Sequence, residues 1–236
     1  MLKRKADRVQ PRGGRPTPAH VGGAGGCCQA PKAERKAPYH HGDLREALIA
    51  ATRQLVMERG AENFTLADAC RAAGVTTAAP YRHFRNKQQI LEEIASRGFA
   101  EMRARSMAVV AEKGAGTLEA IIAMGQAYVA FAMHETAIFR LMFGQDPALK
   151  KTEMVSGAGH ECLAQVVEQI TLYCRKNRVK GDALEIALRL WTFVHGAACL
   201  QVDKDYLAIA PALDVNRLIA DGAPGLLGAS PSRRKA

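Results

Sequence analysis

Apolar residues recur every three or four positions through most of the chain, and short polar or glycine-containing breaks separate these stretches. This spacing is that of an amphipathic α-helix, and the strict alternation typical of a half-buried strand does not occur. The pattern predicts an all-α fold of about nine helices, with a three-helix head before a larger helical domain. The predicted helices cover residues 44–59, 65–73, 76–84, 86 to beyond 102, 117–134, 136–143, 153–176, 182–200 and 215–227.

Two of these helices surround a tight turn between residues 65 and 84. Thr65 and Asp68 form a predicted capping pair at the first helix, and Gly74 ends it as a residue that tolerates positive φ. Thr76 or Thr77 caps the second helix, whose start is slim because small residues follow. A slim, polar helix start enters the major groove in a helix-turn-helix, although the pattern alone also fits two surface helices of any α-helical protein.

The flanking segments distinguish these alternatives. Before the turn, a helix begins with Asp43 and Glu46 as a capping pair and ends at Gly60, and after it Asn86 and Gln89 start another helix. The block from residue 39 to 91 resembles the DNA-binding domain of TetR/AcrR-type transcriptional regulators. The matching segments are YHHGDLREAL, Gly60, TLADACRAAGV, Tyr81-x-His83-Phe84 and Asn86-Lys87 before Ile90-Leu91.

The resemblance implies contacts with double-stranded DNA by both phosphate-binding and base-reading residues. The predicted DNA-binding residues are Tyr39, Thr65, Thr76, Thr77, Ala78, Ala79, Tyr81, Arg82, His83 and Lys87. Thr65, Tyr81 and Lys87 would hold phosphates, whereas the residues around the second helix start would face or border bases. His83 either contacts phosphate or caps its helix. Ala67 stands at a position that is commonly charged in the family, so one possible phosphate contact of the family is not carried over to this chain.

The second half of the chain resembles the ligand-binding domain of one TetR subgroup. The matching segments are AYVAFAMHETAIFRLMFG and the Trp191-x-x-x-His195-Gly196 element, with Thr136 where the subgroup has proline. Aromatic and methionine side chains favour a largely apolar ligand with little charge, although each equally suits a packed core. The candidate ligand-binding residues are Met124, Tyr128, Phe131, Phe139, Met142, Phe143 and Trp191.

The helix at residues 182–200 is apolar on nearly all sides. Such a helix must be buried on both sides, which in a domain this small indicates core on one side and a partner subunit on the other. We therefore expect a homodimer, with the helix at residues 215–227 completing its interface.

The formal net charge of +10 belongs to the ends of the chain. Residues 1–38 carry +7 and residues 233–235 carry +3, so the remainder is neutral. We expect a disordered basic tail at 1–38, a helix-turn-helix domain at 39–102, a ligand-binding and dimerisation domain at 103–228, and a basic tail at 229–236. Lys- and Arg-rich tails can add phosphate affinity without sequence preference, or only solubility.

Several functions lack support in the sequence. The six cysteines show no zinc spacing, and no Gly-rich phosphate loop or nucleophile–base pair can be placed, so we expect no metal, no cofactor and no enzymatic activity. No secretory signal appears and the longest charge-free stretches are too short to span a bilayer, which predicts no membrane partner and a cytoplasmic, nucleoid-associated protein.

The expected function is therefore a homodimeric regulator, a ligand-responsive repressor on a near-palindromic operator. The alternative is a sequence-tolerant architectural DNA-binding protein that depends on its basic tails, for which binding would be strongly salt-sensitive and would vanish with the tails.

Overall fold

The computed structural model describes residues 41–78, 80–144 and 146–228. Within these ranges the chain forms ten α-helices and one 3₁₀ turn, with no strand, so the predicted all-α fold is confirmed. The helices are α1 His41–Arg59, α2 Leu66–Ala72, α3 Lys87–Lys113, α4 Leu118–His134, α5 Thr136–Phe143, α6 Pro147–Lys150, α7 Glu153–Asn177, α8 Ala183–Val202, α9 Asp205–Ile209 and α10 Val215–Leu226. The predicted tails and the predicted roles of Tyr39 and Ala79 lie outside the described residues.

The caps of the first half follow the sequence closely. The Thr65 and Asp68 side chains form the predicted capping box at α2, each accepting a hydrogen bond from the other residue's backbone N–H. Gly74 follows α2 at a φ of 68°, the left-handed conformation that glycine adopts without strain. Asn86 caps α3, because its side-chain oxygen accepts a hydrogen bond from the Gln89 N–H. The Gln89 side-chain oxygen accepts a hydrogen bond from the Arg85 N–H.

The second helix of the helix-turn-helix is shorter than predicted. In place of a helix over residues 76–84, the structure has turn residues and then a single 3₁₀ turn, Pro80–Arg82. Among the described residues of this segment, Pro80 is the first in regular structure, and proline suits a first helical position because the N–H that it lacks would be unpaired there. The His83 and Phe84 N–H groups both donate to the Pro80 carbonyl at 2.8 Å and close this turn.

Three other boundaries differ from the prediction. Helix α1 begins at His41, so Asp43 lies within its first turn and is not the N-cap. The predicted loop at residues 144–151 contains α6, which Asp146 caps by accepting from the Ala148 and Leu149 N–H groups. Helix α9, which was not predicted, lies between α8 and α10. Helices this short have almost no periodicity from which to predict them.

Helix α3 is the structural centre of the chain. It is 27 residues long and packs against α1 at its start and against α4, α5 and α7 along its length. Its buried residues from Ile90 to Met102 belong to a core that is continuous from the head to the C-terminal helices, and α10 packs over α4 and α8. The division at residue 102 therefore falls inside one helix, and the two-domain organisation stays a prediction.

Helix α8 is buried on one side only in the single chain. Ile186, Leu190 and Val194 face the core, whereas Leu184, Leu188 and Leu200 are about 40% exposed. By length and composition α8 is the one helix in the described ranges that could cross a membrane. Its packing against α4, α7 and α10 is that of a core helix with an uncovered face.

Helices α3 and α5 cross closely at Gly98. A Cβ atom placed on Gly98 would lie 2.6 Å from the Met142 sulfur and 2.9 Å from Ile138 Cγ2. Both neighbouring side chains are fully buried, so neither can move into solvent. The absence of a side chain at residue 98 therefore sets the distance between these helices.

We expect Gly98→Ala to destabilise the fold by about 1 kcal/mol, because overpacking costs about 1–3 kcal/mol and exceeds the gain of alanine in helix propensity. Chemical denaturation followed by circular dichroism measures the change. Gly157→Ala in α7 is the matched control, since a Cβ there meets no atom within 4 Å, and it should be neutral or stabilising. Equal stability of the two variants would contradict the proposed close packing.

Candidate functional site

The helix-turn-helix presents a compact exposed surface around its 3₁₀ turn. Pro80 and Phe84 are buried and hold the turn against the head, whereas Tyr81 is 65% exposed between them. The exposed DNA-binding candidates on this surface are Thr76, Thr77, Ala78, Tyr81 and Arg82. One uncovered segment thus carries the Tyr81 hydroxyl, the methyl groups of the small residues and the Arg82 guanidinium.

A charged network fixes this segment to α3. The Arg45 guanidinium lies 5.4 Å from the centre of the Phe84 ring and pairs with Glu93 at 2.7 Å. Arg97 joins Glu93 at 2.8 Å and Glu46 at 2.6 Å. The hydrogen bond from Arg97 lowers the pKa of Glu46, and the bonds from Arg45 and Arg97 lower the pKa of Glu93 although burial opposes this. Helices α1 and α3 are therefore linked directly behind the exposed turn.

Two of the predicted contact residues, Thr65 and His83, lie apart from the five exposed candidates. The Thr65 hydroxyl donates to the Asp68 carboxylate at 2.6 Å while it caps α2, which is a structural role. His83 is partly buried, and its Nε2 atom is enclosed without a hydrogen-bond partner among the described residues. The structure thus places His83 behind the exposed surface.

Lys87 also has a partner inside the head. Its ammonium group donates to the Phe64 carbonyl at 2.7 Å and lies 4.0 Å from the centre of the Phe64 ring. These contacts offset the unfavourable position of a cation at the start of α3. An ammonium group has three donors, so a phosphate contact is compatible with this geometry, but the cation has a structural role without one.

A cavity of about 530 Å³ lies in the second half of the chain, within the usual range for small-molecule sites. Most of its lining residues lie on α3, α4, α7, α8 and α10, and α5 and α6 contribute three more. Its walls are largely apolar: Phe99 and Met102 come from α3, Ile121 from α4, and Val166 and Ile170 from α7.

Five of the seven predicted ligand-binding residues line this cavity: Met124, Tyr128, Met142, Phe143 and Trp191. The other two, Phe131 and Phe139, are buried in the core beside it, at 0% and 2% exposure. Phe131 packs under the Arg105 guanidinium, and Phe139 packs edge-on against Tyr128. Both aromatic side chains fill the core.

Polar groups interrupt the apolar wall at a few points. The Tyr128 hydroxyl lies 2.8 Å from His195 Nδ1, and the His195 ring is 5.5 Å from the Trp191 ring, so Trp191 and His195 share one helix face as predicted. Burial raises the pKa of Tyr128, while burial and the nearby Lys150 charge lower the pKa of His195. Burial also raises the pKa of the Cys162 thiol to about 11.

Much of the wall was not predicted from the sequence, including all of its α7 residues and both of its cations. Arg103 and Lys150 line the cavity, together with Ser106, Ser156, His160 and Gln165. Arg103 and Ser106 continue a stripe that starts at Phe99 with spacings of three and four residues, so helical periodicity on α3 would have identified them. Lys150 carries no such signal, because α6 was not predicted.

Among the described residues no group of three or more His, Cys, Asp or Glu side chains is arranged to hold a metal ion. The four cysteines in these ranges are free, and all four lie in helices.

Comparison with known families and structures agrees with this architecture. Residues 48–94 match the family described as bacterial regulatory proteins, tetR family, and residues 121–221 match the tetracyclin repressor-like C-terminal domain. No functionally curated protein is significantly similar to the chain.

Three solved structures illustrate the similarity. A protein of unknown function from Rhodococcus sp. RHA1 is 28% identical with a TM-score of 0.71, and the match covers 84% of this chain and 100% of the other. The TetR family transcriptional regulator PfmR from Thermus thermophilus is 14% identical with a TM-score of 0.56, over 78% and 99% of the two chains. SmeT, the repressor of the Stenotrophomonas maltophilia multidrug efflux pump SmeDEF, is 20% identical with a TM-score of 0.55, over 77% and 88%.

The helix-turn-helix head and the helical C-terminal domain define a DNA-binding transcriptional regulator, which is a non-enzymatic protein. The chain belongs to the TetR family. Its assignment to the subgroup with the Trp-x-x-x-His-Gly element stays a prediction.

We expect Lys87→Met to lower the free energy of unfolding by about 1 kcal/mol in the absence of DNA, because it removes the charged hydrogen bond and the cation–π contact with Phe64 while keeping the apolar stem. Lys180→Met, in the segment between α7 and α8, is the control and should have little effect, since Lys180 is exposed and forms no ion pair within 4 Å among the described residues. Thermal unfolding of both proteins distinguishes this structural role from a purely phosphate-binding one, which predicts unchanged stability for Lys87→Met.

Proposed function

We propose that this protein is a homodimeric, ligand-responsive repressor that binds a near-palindromic operator. The observation that carries the proposal is the exposed surface around the 3₁₀ turn, which the Arg45–Glu93–Arg97 network holds on α3, the same helix that lines the ligand cavity. DNA contacts and ligand contacts thereby share one rigid element.

The exposed surface suits the major groove. Thr76, Thr77 and Ala78 offer methyl groups to thymine, and Arg82 can donate to the acceptor edge of guanine. The Tyr81 hydroxyl suits a phosphate oxygen, which positions the protein without reading sequence. Two such surfaces in a dimer would enter successive major grooves about 34–36 Å apart, which is one helical turn.

The uncovered face of α8 is the proposed dimer interface. Leu184, Leu188 and Leu200 expose apolar surface there, and a Cβ on Gly196 meets no atom within 4 Å, so nothing in the single chain requires glycine at that position. Burying these leucines against a second copy would remove their apolar surface from water. We propose that α10 completes the interface.

Ligand control would act by population shift. The dimer would exchange between states with different spacings of the two heads. A molecule that binds one of these states more tightly shifts the equilibrium toward it, by an amount set by the difference in affinity. The cavity wall includes Phe99 and Met102 of α3, so a ligand there contacts the helix that carries the head. We propose that the DNA-bound protein represses transcription.

We expect the full-length protein to protect a two-fold-symmetric site in a footprint on DNA flanking its own gene, in the presence of excess non-specific competitor. Arg82→Ala should weaken binding to that site by about tenfold through loss of a base contact, and should leave non-specific binding nearly unchanged. Arg175→Ala, at the end of α7, is the control and should match the wild type.

Failure to find a symmetric protected site at this locus, with binding that tolerates any sequence and disappears in salt, would favour the architectural alternative. An equal loss on all DNA sequences for Arg82→Ala would instead assign Arg82 to a phosphate.

We expect Leu188→Glu to convert a dimer into a folded monomer, because a carboxylate on the proposed interface would be buried against apolar surface. Analytical ultracentrifugation measures the mass, and circular dichroism checks the fold. Met107→Glu on α3 is the control, since Met107 is 45% exposed on another helix, and it should stay dimeric. A dimer that tolerates Leu188→Glu would exclude this face.

A further inference from the structure

The charges on the cavity wall have a single sign. Arg103 and Lys150 are the charged residues that line it, and no Asp or Glu does so within the described part of the chain. Uncompensated cations beside an apolar space attract anions, since Coulomb interactions strengthen where water is partly excluded.

The two cations are not equivalent. Arg103 already pairs with Glu161 at 3.1 Å, so much of its charge is neutralised at the cavity rim. Lys150 is exposed, and among the described residues it forms no ion pair within 4 Å. Lys150 is therefore the cation that a bound anion can engage without breaking an existing salt bridge.

Lys150 lies at the aromatic end of the cavity. Its charge is close enough to His195 to disfavour protonation of the imidazole, and His195 packs 4.9 Å from the Phe143 ring and 5.5 Å from the Trp191 ring. Trp191, the only tryptophan of the chain, thus lies beside an imidazole that is within reach of the Lys150 charge, while Ile121 and Ile170 line apolar parts of the wall.

Three of the neutral polar groups on the wall, Tyr128, Gln165 and Ser106, have partners within the chain. Tyr128 pairs with His195, and the Gln165 amide donates to the Ser106 hydroxyl at 3.3 Å. A polar group that is already paired gains little from a further partner, so these groups contribute little to the choice of ligand.

We propose that the effector is an apolar molecule with one acidic group, and that Lys150 binds this group while the hydrocarbon part fills the cavity. This inference rests on the proposed ligand-responsive function, and it replaces the expectation of a ligand with little charge. A cationic ligand is disfavoured, because the wall offers it two like charges and no carboxylate.

Trp191 is the only tryptophan and lines the cavity, so its fluorescence reports binding without DNA. We would titrate the full-length protein at low ionic strength with decanoate, decanol and decyltrimethylammonium, each below its micelle-forming concentration. Comparison of the acid with the alcohol of equal chain length isolates the contribution of the charge. Lys150→Met is the test variant, and Lys151→Met is the control, since Lys151 is exposed and does not line the cavity.

We expect decanoate to bind more tightly than decyltrimethylammonium. In Lys150→Met the ratio of decanoate affinity to decanol affinity should fall about fivefold, which is the effect of losing a solvent-accessible ion pair. At high salt the wild type and Lys150→Met should have the same ratio, because salt screens this ion pair. Lys151→Met should keep the wild-type ratio. An unchanged ratio in Lys150→Met, tighter binding of the cation, or no fluorescence response to decanoate would each overturn the inference. These titrations contain no DNA, so their outcome is independent of the footprint. The inference about the effector can therefore be wrong while the proposed DNA-binding function is right, and the reverse.

Discussion

One helix must satisfy two sets of neighbours at the same time. The first turns of α3 pack in the head, where Ile90 and Ile94 are fully buried, and the next turns carry Phe99 and Met102 on the cavity wall. Because the helix is continuous, neither set can be rearranged without displacing the other. The close crossing at Gly98 lies where the two sets meet, so packing density at one residue limits how the head and the cavity can move relative to each other.

Outside α3, the head meets the rest of the chain through α1 and α5. Arg53 of α1 pairs with Glu135 at 2.8 Å, at the junction of α4 and α5, and also approaches Glu101 of α3. These residues are partly exposed, and pairs of this kind contribute at most about 1 kcal/mol each. They are better suited to fixing an orientation than to holding the domains together, which the apolar core does.

Features that depend on nearby residues could be predicted from the sequence, and features that depend on distant residues could not. The capping box of Thr65 and Asp68 follows from a three-residue spacing, and the buried stripes follow from helical periodicity. Lys87 was expected at a phosphate because nothing local indicates the Phe64 carbonyl, which lies 23 residues earlier in the chain. Aromatic and methionine content predicted five residues of the cavity wall. Which side chains face the cavity depends on how the helices are rotated, and Lys150 reaches the cavity only through the unpredicted α6.

The energies required for ligand control are small on the scale of these contacts. A tenfold change in operator affinity needs a differential ligand affinity of about 1.4 kcal/mol between the two states. Burial of a few methylene groups contributes a similar amount, at about 0.8 kcal/mol each. Phe99 of α3 and Phe143 of α5 are in edge-to-face contact with 5.3 Å between their ring centres. In the proposed mechanism, a ligand that separated these rings would change the packing energy between α3 and α5 on this scale. The apolar wall can supply the energy for such a shift, while a single charge at the rim would decide which molecules are bound.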